Sequence, residues 1–133
     1  MIESADNNTQ DTDTIRVQVR TRYLSEQSRP EHSRYVYGYT ITIFNDGEEP
    51  AQLMSRHWII SDDKDQVTEV KGAGVVGEQP IIQPGSSYTY SSGVVMESAV
   101  GTMTGSYRMQ SPNGDTFDAP IPTFTLIQPS RLH

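Results

Sequence analysis

Apolar and polar side chains alternate nearly one for one along most of this chain, and a period of two leaves almost no room for a helix. Ile15, Val17, Val19, Thr21 and Tyr23 alternate with Arg16, Gln18, Arg20 and Arg22, which predicts a half-buried strand with an arginine-rich outer face. A polar loop over 25–33, holding Pro30, follows. Tyr35, Tyr37, Tyr39, Ile41 and Ile43 form a second inward row, closed by Asn45, Asp46 and Gly47, residues that tolerate positive φ. A third strand is expected from about 51 to 60, a polar turn over 62–65 and a short fourth strand over 66–70. Beyond the glycine-rich run that follows, Pro84 and Gly85 mark a turn before a strand over 87–91 with Tyr88 and Tyr90. Met103, Gly105, Tyr107 and Met109 give the next inward row, and a turn over 111–114 leads into a last strand over 117–127. Pro120 and Pro122 cannot donate to a ladder, so that strand lies at an edge or is broken there.

About seven short strands with turn signals between them argue for an all-β chain, an immunoglobulin-like antiparallel β-sandwich. Trp58 falls on the third strand, where such sandwiches keep a core tryptophan. Gly105, Tyr107 and Met109 carry the spacing of a tyrosine corner, with Met109 in place of the second cysteine of antibody domains.

The 133 residues suffice for one domain with its own core. With no cysteine there is no disulfide framework and no thiolate metal site. No apolar run approaches the length that spans a bilayer. Residues 1–13 are acidic and polar, unlike a secretory leader, and are expected to be a disordered tail in front of a single domain over 14–133. The expectation is a cytoplasmic protein with no membrane association. The net charge is −7, yet Arg16, Arg20, Arg22, Arg29 and Arg34 make up half of the ten Lys and Arg residues. These arginines read first as a solvated strand face, with an anionic partner facing Arg16, Arg20 and Arg22 as the alternative.

Lys71-Gly72-Ala73-Gly74-Val75-Val76-Gly77-Glu78 matches the G-x-G-x-x-G pattern of dinucleotide sites. That pattern needs a helix opening at its last glycine, so that helix N–H groups meet a pyrophosphate. Pro80 and Pro84 would both fall inside such a helix and remove its hydrogen bonds. The run is therefore expected to be an ordered loop between strands. Its glycines permit an anion-binding nest without a helix, or they simply let the loop fold across a sandwich end. Val75 and Val76 suggest a loop that packs down or presents a contact patch.

Together with Arg56-His57-Trp58 and Gly105-Ser106-Tyr107, this run resembles the ApaG family over nearly the whole chain from about Thr14. The resemblance implies a fibronectin type III-like sandwich and a stand-alone bacterial domain. Similar domains are appended to eukaryotic F-box and polymerase-interacting proteins, which implies recognition of another protein. The family's genetic association with diadenosine-polyphosphate hydrolysis and with cobalt and magnesium tolerance names a pathway and no chemistry.

Catalytic patterns are weak. His32, His57 and His133 lack partners at metal-ligand spacing, and the acidic turn 62–65 lacks the glycine and distal glutamate of a calcium loop. No cysteine nucleophile and no serine elbow occurs, and the acids cluster where solvent keeps them ordinary. The shared phase of Tyr35, Tyr37 and Tyr39 with Ile41 and Ile43 points them to the core, away from stacking on nucleic acid. The sequence reading is thus a protein-interaction module without catalytic residues, metal or cofactor, a monomer or weak homodimer, with a protein partner contacting Gly72, Gly74, Val75, Val76, Gly77 and Glu78. A small anionic ligand, a phosphorylated metabolite or nucleotide polyphosphate bound at the same loop, is the alternative.

Overall fold

In the computed structural model, which describes residues 14–131, eight strands build two facing antiparallel sheets. They are β1 (Ile15–Tyr23), β2 (Tyr35–Asn45), β3 (Ala51–Asp62), β4 (Val67–Ala73), β5 (Ile81–Ile82), β6 (Ser87–Met96), β7 (Val100–Gln110) and β8 (Thr116–Ile127). One sheet runs β1-β2-β6; the other runs β4-β3-β7-β8, with the short β5 pairing beside the start of β3. The acidic tail over 1–13 and His133 lie outside the described residues.

The alternating rows face each other as their spacing requires. Ile15, Val17, Tyr37, Tyr39, Ile41 and Ile43 meet Leu53, Trp58, Met103, Tyr107, Met109, Ala119, Ile121 and Leu126 across the interior. Trp58 is buried, with ring centroids 5.6 Å from Tyr39, 5.9 Å from Phe124 and 6.5 Å from Tyr107. These tilted and edge-on contacts are the arrangement aromatic quadrupoles prefer. A Cβ on Gly105 would sit 2.0 Å from the His57 carbonyl, so β3 and β7 approach there only because the residue is glycine.

Two register shifts explain why alternation changes phase inside single strands. Between Leu53 and Ser55 the pairing of β3 with β7 slips by one residue, so that odd-numbered Leu53 and even-numbered Trp58 both face inward. A second shift lies where Met103 pairs Phe124 and Gly105 pairs Ile121, taking up Pro122 and Thr123 on β8. Both expectations for this strand therefore apply: β8 is an edge strand, and its register breaks at Pro122.

Three sequence expectations need correction. The turn after β2 uses no positive φ at 45–47. Asn45 instead works through its buried side chain, which donates to the carbonyls of Glu49 (2.7 Å) and Ile82 (2.9 Å) and accepts from the Gly47 N–H (3.0 Å). There is no tyrosine corner: the buried Tyr107 hydroxyl meets the Tyr90 hydroxyl at 2.5 Å, not an upstream carbonyl. Finally, Gly72 and Ala73 belong to β4 rather than to the glycine loop.

Candidate functional site

The remainder of the glycine run is a tight turn locked onto the edge of β3. Val75 donates to the Glu78 carbonyl (2.8 Å) and Glu78 donates back to the Val75 carbonyl (2.9 Å). Between them Val76 and Gly77 adopt φ of 42° and 81°, the positive pair of the primed turns that join twisted strands. The Gly74 N–H donates to the Met54 carbonyl at 2.9 Å, and the Gln79 side chain reaches the same carbonyl at 2.9 Å. Gln52 closes the other flank by donating to the Gln79 carbonyl at 3.0 Å. The Val75 side chain is wholly buried in the core and acts as the plug of the turn, while Val76 at the tip is 58% exposed.

Each glycine has a separate reason. Gly74 has φ of +60°, and a Cβ there would lie 2.2 Å from the Glu78 carbonyl oxygen. Gly77 needs only its backbone freedom, since nothing lies within 4 Å of its missing side chain. Gly72 leaves room for Arg56, whose guanidinium passes within 2.8 Å of where a Cβ would be. Arg56 then donates to the carbonyls of Ala73 (3.1 Å) and Gly74 (2.9 Å), fastening the chain as it leaves β4. The legible signal for this role was a charged residue in the inward phase of β3, two positions before Trp58, which the sequence reading did not use.

Beside Arg56 lies the Tyr90–Tyr107 hydroxyl pair, which links β6 to β7 through the interior. Burial pushes both phenols well above their ordinary range, because a phenolate there would lose its water. The pair is a neutral structural link at physiological pH.

The arginines of β1 are elsewhere. Arg20 and Arg22 line a groove with Gly38, Thr40, Ser91 and Ser92 on the outer face of the three-stranded sheet. Arg16 is bound to Asp46 (2.8 Å) and lies over the Phe44 ring, 4.0 Å from its centroid. That contact holds the Asp46 carboxyl below its ordinary range through the hydrogen bond from Arg16. The structure therefore does not unite Arg16, Arg20 and Arg22 with Gly72, Gly74, Val75, Val76, Gly77 and Glu78 in one site.

His57 stands on the outer face of the five-stranded sheet, its Nε2 2.5 Å from Glu69 Oε2, beside Lys71, Ser106 and the Arg108–Asp118 pair. Asp62 spends its carboxylate on the β3–β4 turn, accepting from the N–H groups of Lys64 and Gln66 at 2.9 Å each. Among the described residues no three His, Asp or Glu side chains converge as metal ligands.

The fold and its plugged turn thus define an immunoglobulin-like sandwich whose most distinctive feature is a rigid glycine turn at a sheet edge. A family model for the ApaG domain matches residues 25–111, and the chain belongs to this family. It is 56% identical over 119 residues to a protein ApaG of Pseudomonas aeruginosa, covering 90% of this chain and 94% of that one. A Thiobacillus denitrificans ApaG is likewise 56% identical over 119 residues, with the same shares covered. A Bordetella pertussis crystal structure described as an ApaA protein superposes with a TM-score of 0.84 at 46% identity, covering 86% of this chain and 94% of its own. No helix among the described residues is long and apolar enough to cross a membrane.

Proposed function

We propose that this protein is a non-catalytic recognition module whose glycine turn presents Val76 to a protein partner. One observation carries the reading: Val76 is a β-branched residue held at φ of 42° with 58% of its surface in water. A branched side chain in the left-handed region costs about 1–2 kcal/mol, and an apolar one with most of its surface in water recovers little of that by burial. Backbone strain of this kind concentrates where a surface is shaped for contact. The turn beneath is fastened by Arg56, Gln52, Gln79 and the buried Val75, so the tip loses little freedom on binding. A chain without cysteine suits the reducing cytoplasm in which we place this activity.

The ligand alternative is less well supported. Gly74, Val75 and Glu78 already spend their N–H groups on protein carbonyls, which leaves few donors for an anion nest. Affinity capture from the native cell with the parent protein and with Val76→Asn as bait tests both readings, run beside backbone NMR titrations with ATP, GTP and a dinucleoside polyphosphate. We expect proteins retained by the parent and lost with Val76→Asn, and no saturable shift at Gly74, Val75 or Gly77. Identical retention by both baits would sink the recognition reading, and saturable shifts at those amides would install the ligand reading in its place.

A further inference from the structure

The four longer edge strands of the sandwich are not equally protected against pairing with another chain. β8 carries Pro120 and Pro122, β4 carries Glu69 and Lys71, and β1 carries Arg16, Arg20 and Arg22. Proline and charge are the usual guards of an exposed edge. β6 has neither. Its ten residues, Ser-Tyr-Thr-Tyr-Ser-Ser-Gly-Val-Val-Met, pair with β2 on one side only, and no loop backbone hydrogen bond among the described residues reaches 88–96 on the other. Ser87, Thr89, Ser91, Ser92, Gly93 and Val95 are all exposed.

The outer face beside this edge has a definite charge. Across the three strands Arg22, Gly38 and Gly93 fall in one row, and Arg20, Thr40 and Ser91 in the next. Thr40 and Ser91 join hydroxyls at 2.8 Å, and Thr42 and Thr89 at 3.0 Å. Gly38 and Gly93 bring no side chain of their own to their row, and over Gly38 lie Leu24 Cδ1 at 3.7 Å and Arg22 Nη2 at 3.9 Å from where a Cβ would be. Among the described residues neither Arg20 nor Arg22 has an acidic partner, although the whole chain carries a net charge of −7. The outward positions of these strands hold no Asp or Glu.

We infer that β6 takes up an extended acidic segment of another protein by strand addition, with the acidic side chains crossing over Gly93 toward Arg22 and Arg20. Main-chain hydrogen bonds along β6 supply the affinity, and the alternating side chains of the incoming strand supply the choice of partner. Strands in a sheet lie about 4.8 Å apart, so an added strand runs about 10 Å from Gly38. From there a glutamate opposite Gly93 extends over a position with no side chain, toward a guanidinium lying over Gly38. A basic segment meets the same arginines with like charge and is rejected. This surface is separate from the Val76 turn, and the inference stands or falls without it.

The test is an NMR titration of the 133-residue chain with two synthetic octapeptides, one alternating threonine with glutamate and one alternating threonine with lysine. With the glutamate peptide, saturable shifts are expected along 88–96, weakening as salt is raised, and binding at least tenfold weaker for the lysine peptide. Ser92→Asp, which places a charge on the edge, should abolish the response, and Arg20→Ala with Arg22→Ala should weaken it at least tenfold while β6 stays intact. Melting curves for each variant establish that the fold is kept. Equal response to both peptides, or none along β6 at millimolar glutamate peptide, overturns the inference. So does a concentration-dependent shift of the β6 amides without peptide, accompanied by a dimer in sedimentation, which would give the edge to a second copy of the chain.

Discussion

Arg56 and Trp58 point to the same side of β3, two residues apart, and meet opposite environments. Trp58 faces a dry cluster of rings from Tyr39, Phe124 and Tyr107. Arg56, one pair of residues nearer the sheet margin, finds the Ala73 and Gly74 carbonyls and a gap left by Gly72. The first region is held by area removed from water, which is insensitive to direction. The second is held by a few directed hydrogen bonds, which fix the position of a surface turn rather than add much net stability. Strength and placement are thus separated along one strand.

The sharpest way to break this comparison is at the ring cluster. Trp58→Ala removes a buried indole and leaves a cavity, and is expected to cost about 3–5 kcal/mol in chemical denaturation. A midpoint close to the parent's would show that the rings are not the main anchor. The plug of the turn should matter less: Val75→Ala is expected to cost about 2 kcal/mol, since the methyl groups lost are few but wholly buried. A cost above that of Trp58→Ala would make the margin the stronger region.

Tyr90 and Tyr107 sit where the two regions meet. Tyr90→Phe or Tyr107→Phe alone strands a buried hydroxyl and should cost about 1–3 kcal/mol, whereas the double variant should cost less than the sum of the two. The pH dependence has a defined sign. Both phenols are raised in the folded protein, so their contribution is fully present below their ordinary pKa of 10.0 and declines as the pH climbs above it. Alkaline unfolding should therefore begin near that pH in the parent and recede in the double variant; identical alkaline curves would count against the link.

The smallest effect has the opposite direction. Val76→Asn places at the first turn position a residue suited to positive φ, and should raise stability by about 1 kcal/mol. A loss of stability would mean that Val76 is packed rather than presented.

Much of the architecture was legible because burial imposes a period of two: the rows ending in Ile43 and Met109 fell where alternation put them, while Trp58 was placed by the sandwich pattern, since the phase of β3 changes before it. β5 was not legible, since two residues between Pro80 and Pro84 carry no period. β6 was expected to end at 91, but Ser91, Ser92 and Gly93 lack apolar alternation and the strand continues to Met96 through its pairing with β2. The site was only partly readable. Three glycines announced a loop, but each answers to a neighbour remote in sequence or to local backbone twist, and Arg56 could be placed beside Gly72 only once β3 and β4 were paired. Arg16, Arg20 and Arg22 stand on the other sheet from the glycine turn, and no feature of the sequence says which sheet a charged strand joins.

The slip between Leu53 and Ser55 ties the inside of this protein to its outside. The extra residue, Met54, is the one whose carbonyl receives both Gly74 and Gln79. Removing that residue would turn Trp58 out of the interior and, in the same stroke, withdraw the mooring of the glycine turn. Mutation at this point cannot trade one property against the other. Lineages that keep the sandwich intact are bound to inherit the turn's anchorage with it, whatever becomes of the side chain at its tip.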